Sequence, residues 1–539
     1  MSDKPSQATQ LVALAEVRYT FGCSEAGEPY AVSRTGAYVA RPLRGGRHSL
    51  RAELAAAYAA ANDGAPSSSA LADALLVLEG RAQQKERMPL GLRVASHAGR
   101  VLLDLGDSTG RVVQLDATGW TVLDRSPALF RRTELTGALP IPVPGYRPSS
   151  LQKLLNVTDE TWPLVLGALV AALLGDMPLP ILAFMGEQGT GKSTAARIVA
   201  AVLDPSPAQL RTAPRDVEGW TVAAAGSYVV ALDNISSIPE WLADSLCRAV
   251  TGDGLVRRKL YSDSELSVLS FRRWVLLTSI DPGALRGDVA DRLLRVELER
   301  IPSRRRRLDA ELTEAWQRAH LFALGAVLDL AVQVLQVLPD VSLSDLPRMA
   351  DFARVLAAVD LVLGTDGLAT YKRQAAELAG DVIDSDPVAA GVRTFMENIS
   401  TEDKTWTGTA GELLAKLTPE HPSREWPSTP RGLTARLTRV APALRSVGVE
   451  FEHLDREPRT RRRLLSLRRS DDIQEDAREP SQSVLAVPPA GLPGPVERQP
   501  SQPSPQPSPA AALLPAQTCN GDGRTGGDGL SALTLDAPS

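Results

Sequence analysis

The sequence predicts a mixed α/β chain: a helix-covered parallel sheet in the middle, a β-containing region before it, and a helical module ending in a two-stranded β unit after it. Three observations predict this. Between about residues 150 and 300, apolar strand-type runs alternate with helical patterns, the order of an α/β domain. One run, Pro180-Ile-Leu-Ala-Phe-Met185, enters a glycine-rich turn and then a helical run from Ser193. Residues 386–470 place two helical patterns ahead of two strand-like runs.

At 539 residues the chain exceeds what one core usually organises. With 59 Lys and Arg against 64 Asp and Glu, the net charge is -5, so any nucleic-acid contact must come from local patches. Cys23, Cys247 and Cys519 lie far apart, which argues against a disulfide framework or a zinc ribbon and fits a reducing compartment. Met1-Ser-Asp-Lys-Pro-Ser6 lacks the order of a signal peptide. The apolar run Trp162–Leu174 is shorter than the ~20 residues that span a bilayer, so it reads as a core helix. The expectation is a cytoplasmic protein without membrane contact.

Residues 10–45 carry short apolar pieces broken by Gly and Pro, and helical patterns follow at about 49–62 and 68–83. From Leu92 to Leu123, four short β-type runs separated by Gly, Asp and Ser predict a small antiparallel sheet. Leu139-Pro-Ile-Pro-Val-Pro-Gly-Tyr-Arg-Pro148 reads as an extended linker, because repeated Pro fixes φ and removes donors. The expected divisions are an N-terminal α+β region over 1–145, a core with a helical extension over 146–385 and a small module over 386–470. A Pro-, Ser- and Gly-rich disordered tail is expected over 471–539.

The turn in the core reads Gly186-Glu187-Gln188-Gly189-Thr190-Gly191-Lys192-Ser193-Thr194. Gly186, Gly189 and Gly191 admit backbone angles closed to other residues, so successive N–H groups turn inward on a polyphosphate at a helix N-terminus. Lys192 then reaches the β- and γ-phosphates and Ser193 ligates Mg²⁺, which makes this a P-loop with ATP and Mg²⁺ as expected cofactors. The alternative, an ordinary glycine-rich turn, leaves the strand-to-helix context unexplained.

One βα unit later, Ser227-Tyr-Val-Val-Ala-Leu-Asp233-Asn234 ends a strand in a carboxylate, the expected Mg²⁺ partner; alone, such an Asp reads as a turn residue. Trp274-Val-Leu-Leu-Thr278-Ser279 ends in hydroxyls that a further parallel strand would set against the γ-phosphate or the attacking water, with a strand-end turn as the alternative. Downstream, Arg292 is either a guanidinium for a neighbouring subunit's γ-phosphate or half of an ion pair with Asp288 or Asp291.

This order, with the basic segment Gly252–Tyr261 between the second and third strands, resembles the superfamily III helicases. More closely it is similar to the AAA+ ATPases of phage and integrative elements in actinobacteria, related to the helicase half of primase-helicases. The resemblance spans about residues 85–470. It implies subunits in a homo-oligomeric ring around DNA, with ATP between neighbours. It also implies a hairpin that contacts nucleic acid through Arg257, Arg258 and Lys259. Without the resemblance these three cations read equally as a solvated strand. One departure stands out: many AAA+ proteins place Glu after the Walker B Asp, whereas this chain has Asn234, which orients water but cannot accept its proton. Hydrolysis is then slow, or uses another carboxylate such as Glu187.

In the C-terminal module, Thr407–Leu417 and Ser428–Arg445 read as helices, and Val449–His453 and Arg463–Leu467 as strands around a basic turn. The pattern resembles a winged-helix domain. Its recognition-helix cations would be Arg431, Arg436, Arg439 and Arg445, and its wing cations Arg459, Arg461, Arg462 and Arg463; a helical protein-interaction module with a solvated arginine face is the alternative.

The leading expectation is a DNA-dependent ATPase, a helicase replicating a mobile element on single-stranded or forked DNA. The alternative is an ATP-switched DNA-binding regulator or scaffold with slow hydrolysis, which Asn234 favours. A small-molecule kinase shares the loop but leaves the basic segment and the C-terminal module without a role. No paired acidic priming motif is present in the N-terminal region, so priming falls to a separate primase.

Overall fold

A computed structural model of the chain describes residues 5–45, 49–252, 254–258, 266–270, 272–279, 287–399, 404–423, 426–456 and 462–469. The tail expected to be disordered lies outside the described residues.

The chain opens with α1 (Gln7–Arg18), capped by Ser6, whose hydroxyl accepts from the Thr9 N–H. The broken apolar pattern does not announce this helix. An antiparallel meander follows, β1 (Tyr19–Ser24), β2 (Pro29–Ser33) and β3 (Val39–Pro42). Then come α2 (Leu50–Asn62), α3 (Ser68–Gln83) and β4 (Arg87–Met88). Leu11, Leu54, Leu71, Leu75 and Leu78 join the three helices to this sheet in one apolar cluster. A second, antiparallel sheet holds β5 (Val94–His97), β6 (Arg100–Asp104), β7 (Val112–Asp116) and β8 (Gly119–Leu123) in sequence order. The short β9 (Phe130–Arg131) returns to pair with β3.

After α4 (Ser149–Gln152), every residue of α5 (Trp162–Leu174) is buried, as its uninterrupted apolar run requires. The central elements are β10 (Ile181–Met185), α6 (Lys192–Leu203), β11 (Leu210–Arg211), α7 (Val217–Gly226), β12 (Val229–Ile235) and α8 (Glu240–Thr251). A two-stranded hairpin of β13 (Gly254–Arg258) and β14 (Leu266–Ser270) precedes β15 (Trp274–Ser279), α9 (Gly287–Ala290) and β16 (Leu293–Glu297).

The central sheet has the order β11-β12-β15-β10-β16 and is parallel throughout. Both faces are covered, which explains why its strands are continuous apolar runs rather than alternating ones. Leu182, Phe184 and Leu276 enter one core with α5 and α6, and Ile181, Ala183, Val275 and Leu277 enter another with α7 and α8.

Three helices follow, α10 (Asp309–Val337), α11 (Ala350–Leu363) and α12 (Gly367–Ser385). By length and composition alone, the stretch 309–340 could cross a membrane, but 56% of its apolar window is buried inside the protein. Its buried residues Leu324, Val327, Leu328 and Ala331 belong to the core shared with α5 and α11.

Arg93 joins the second sheet to the core. It is fully buried, and its Nε donates to Asp204 at 2.8 Å. Its Nη1 and Nη2 donate to the carbonyls of Asp104 and Gly137 at 2.9 and 2.8 Å. Asp204, just past the end of α6, also accepts from the Tyr228 and Val229 N–H groups at the start of β12. The proline-rich linker is docked as well: Leu139 N–H donates to Leu105 and Val143 N–H to Leu321. Gly325 permits that approach, since a Cβ there would collide with the Val143 carbonyl.

The C-terminal module contains α13 (Pro387–Glu397), β17 (Thr405–Thr409), α14 (Ala410–Leu417), α15 (Pro430–Ser446), β18 (Val449–Arg456) and β19 (Arg463–Arg469). The three strands form an antiparallel sheet in the order β17-β19-β18 around a core that includes Leu413, Leu433, Leu437 and Leu467. Here the sequence expectation needs correction. Thr407 lies in a strand, because the helix begins only at the capping box of Thr409 and Glu412, and Thr405–Thr409 pairs with β19.

Replacing Arg93 by Ala strips the buried Asp204 of its countercharge and should cost about 3–5 kcal/mol in chemical denaturation. His320 on α10 supplies a pH dependence. Burial holds its pKa down at about 4, with repulsion from Arg93 adding to the effect and the Val202 and Ala201 backbone opposing it. The unfolded chain takes up this proton below about pH 6.5 while the folded chain resists it. Stability should therefore fall as pH drops from about 6.5 towards 4, by on the order of 2 kcal/mol. His320→Phe should flatten that part of a stability-against-pH curve.

Candidate functional site

The glycine-rich loop 186–191 links the C-terminal end of β10 to the N-terminus of α6. Gly186, Gly189 and Gly191 have φ of 143°, 83° and 87°. A Cβ on Gly186 would lie 2.7 Å from the Leu298 carbonyl oxygen, so the loop's first turn admits only glycine. Thr190 is buried and its hydroxyl donates to the Glu187 carbonyl at 3.0 Å, while Glu187 and Gln188 are exposed at the crown. Lys192 Nζ donates to the carbonyls of Gly186 and Glu187, both at 2.7 Å. Desolvation lowers the Lys192 pKa, and the nearby Asp233 opposes that shift. Thr194 follows in the first turn of α6.

Strand register brings the other residues to the same edge. Met185 of β10 and Ile235 of β12 both lie opposite Ser279 of the intervening β15. Asp233 Oδ1 accepts from Ser193 Oγ at 2.8 Å and from Thr278 Oγ1 at 2.6 Å. Two residues of β12, Asp233 and Asn234, bulge opposite the single Thr278. The Asn234 N–H donates to Thr278 Oγ1 at 2.8 Å, and Asn234 takes a left-handed φ of 57°. Asn tolerates that conformation better than Glu does, which is a backbone reason for Asn at this position.

Chemically, the inward-turned loop at a helix N-terminus suits a polyphosphate. The Ser193 hydroxyl and the Asp233 carboxylate are adjacent hard oxygen donors and fit Mg²⁺, which takes one or two protein oxygens and fills its shell with water and phosphate. Glu187 lies at the crown, exposed, where its backbone carbonyl is engaged rather than its carboxylate.

Arg292 does not join this cluster. It immediately precedes β16, whose first residue pairs with Ile181 at the opposite end of the sheet from the loop. Asp291, one of the two carboxylates named as alternatives for Arg292, pairs with Arg348 at 2.8 Å. The hairpin expected to contact DNA is present as β13 and β14, with Arg257 and Arg258 in β13, whereas Lys259 lies outside the described residues. On α15, Arg431, Arg439 and Arg445 are exposed. Arg436 departs from the expectation: its Nε donates to Asp386 at 2.8 Å, because it flanks the face that packs Leu433 and Leu437. Of the four expected wing cations, Arg462 and Arg463 are exposed, and Arg459 and Arg461 lie outside the described residues.

Sequence reasoning missed Asn156, whose Nδ2 donates to the Thr190 carbonyl at 3.1 Å and to the Glu299 carbonyl, fastening the loop to the segment after β16. The exposed run Arg304–Arg307 lines a cleft of about 800 Å³ whose other wall includes Gly189, Gly191, Thr194 and Ala195. The signal was its place just after the strand that borders the loop.

Comparison with known proteins adds the following. Among solved structures, one titled as the active helicase Cch of SCCmec type IV is 13% identical, with a TM-score of 0.40, covering 84% of this chain and 93% of that one. The NrS-1 C-terminal region is 10% identical, with a TM-score of 0.37, covering 87% of this chain and 100% of that one. JCV helicase is 11% identical, with a TM-score of 0.24, covering 43% of this chain and 64% of that one. No curated protein matches the sequence. Two family models match, an actinomycete integrative conjugative element replication protein over residues 149–381 and the C-terminal domain of the same replication protein, AICE RepA, over 388–482. Between them they span well over half of the sequence, and the chain belongs to the family of replication proteins of actinomycete integrative conjugative elements.

Proposed function

We propose that this replication protein is a P-loop ATPase that couples Mg-ATP to DNA, a helicase-type motor working as a homo-oligomeric ring. The observation that carries the reading is the cluster of Ser193, Asp233 and Thr278 behind the glycine-rich loop, at the carboxyl edge of a parallel sheet. Ligands of open α/β sheets bind at that edge.

In this reading Lys192 exchanges the Gly186 and Glu187 carbonyls for the β- and γ-phosphates, a small side-chain movement. Ser193 and Asp233 hold Mg²⁺, which when bound neutralises charge on the phosphate oxygens. Thr278 orients Asp233 and, through the Asn234 N–H, the bulge of β12. Arg292 serves the loop of a neighbouring subunit. The C-terminal order of helix, strand, two helices and two strands supports a winged-helix reading, with Arg431 and Arg439 directed at DNA phosphates. The same reading gives the module over 386–470 its own DNA-binding role and leaves priming to a separate primase.

A second reading has a specific observation in its favour. The exposed Asn234 cannot take a proton from water, so an ATP-switched DNA-binding scaffold with slow hydrolysis fits the same geometry.

ATPase rate measured with and without single-stranded DNA separates the two, and stimulation is expected. Absence of both stimulation and DNA retention at low salt would reject the motor. Lys192→Ala should abolish ATP binding, whereas Arg292→Ala should bind ATP but lose hydrolysis. Mixing the two inactive variants equally should restore activity at about a quarter of randomly assembled interfaces. No recovery would remove Arg292 from the neighbour's site.

For DNA binding, Arg431→Ala and Arg439→Ala should each reduce the salt slope by about one. Arg436→Ala should lower the thermal midpoint of the module and leave that slope unchanged. A slope lowered by Arg436→Ala alone would reverse the assignment.

A further inference from the structure

The Arg304–Arg307 run has no place in the proposed mechanism, yet it stands beside the loop. β16 ends at Glu297, and Leu298 N–H donates to the Met185 carbonyl at 2.9 Å, so the following segment leaves the sheet at the root of the loop. Asn156 then fastens Glu299 to Thr190. Ile301 continues the approach, its Cδ1 lying 3.4 Å from where a Cβ on Gly191 would be. A tight turn at Ser303–Arg305, closed by Arg305 N–H donating to the Pro302 carbonyl, aims the arginines back across the cleft. Arg306 Nη2 comes within 3.5 Å of the corresponding position at Gly189.

Four consecutive guanidinium groups repel one another, and among the described residues none of the four forms an ion pair. Lys153 and Arg300 line the same cleft, against Glu299 and Asp309 as the acidic groups. The excess positive charge therefore faces a concavity of about 800 Å³, within the ~300–1,000 Å³ range of small-molecule sites. The glycine-rich loop itself forms one wall of this space, through Gly189 and Gly191. The occupant that matches both the size and the charge is a nucleotide with its phosphate chain.

We propose that Arg304–Arg307, led by Arg306, form a second cationic wall of the nucleotide site, supplied by the same chain and facing the loop at Gly189 and Gly191. Asn156 is the positioning residue that holds this wall against the loop. The inference rests on the nucleotide reading above and assigns to that site a contact that neither the loop motif nor Arg292 provides. Arg306 grips the phosphate chain of a di- or triphosphate as a charge-assisted hydrogen-bond donor.

The test is equilibrium binding of fluorescently labelled ATP and ADP to the full chain, for wild type, Lys192→Ala, Arg306→Ala and Arg306→Lys. Arg306→Ala should weaken both nucleotides about tenfold, with Arg306→Lys intermediate. The circular-dichroism melt should match wild type, because the side chain is exposed. If wild type binds and Lys192→Ala does not, while Arg306→Ala binds as wild type, the arginine wall is overturned and the loop reading stands. If wild type binds neither nucleotide, both fall together. Unchanged nucleotide affinity with lost retention on single-stranded DNA would assign the run to DNA and overturn the proposal.

Discussion

The buried Arg93–Asp204 pair is the constraint on which the architecture turns. Taking two charges out of water costs several kcal/mol per ion unless every remaining donor and acceptor is met. Arg93 offsets that cost with each of its three nitrogens bonded, to Asp204, Asp104 and Gly137, and Asp204 with the Tyr228 and Val229 N–H groups. Asp104 is in turn gripped by Arg132, through Nε and Nη2 at 2.9 and 2.7 Å. One guanidinium therefore fixes the second sheet, the segment just before the linker and the end of α6 together, and Asp204 carries the connection on to the start of β12. An apolar pair of the same volume could be as stable, but it would not specify which backbone groups meet.

That joint bears on the candidate site because α6 and β12 carry its two halves. Lys192 and Ser193 stand at one end of α6, and Asp204 stands just past the other. Asp233 stands at the far end of the strand that Asp204 starts. The span between them is rigid: Ile198, Val199 and Val202 pack α6 into the core on one face of the sheet, and β12 is buried on both faces. The distance between Ser193 and Asp233 is thus set by packing and register and not by the loop. Outside that packed span lie Lys192, held by the Gly186 and Glu187 carbonyls, and the exposed crown at Glu187 and Gln188.

The parts legible in the sequence share a local cause. β10, β12 and β15 were readable because a strand buried on both faces must be continuously apolar, and α5 because a helix buried all round must be. The loop was readable because glycine spacing encodes backbone angles directly. What escaped reading depends on partners far away in the chain. Arg93 looks like an outward-facing strand residue until Asp204, 111 positions later, is brought to it. Arg436 looks like one more cation on an arginine-rich helix, yet Asp386 is 50 positions away in sequence and 2.8 Å away in space. Asn156 and Arg306 carry no local pattern at all, since their places follow from how segments on either side of the sheet converge on the loop.

Geometry also limits what Arg292 can do. Strands rise ~3.3 Å per residue, and the five residues of β10 separate the backbone beside Arg292 from the loop by about 15 Å. An extended arginine side chain does not cover that distance through a packed sheet. Any contact of Arg292 with a glycine-rich loop would therefore be with that of another copy. The two ends of the sheet would then divide the work, the carboxyl end holding the chain's own ligand and the amino end facing a neighbour's. A parallel sheet suits that division because all its strands point the same way, so its two edges are chemically distinct by construction.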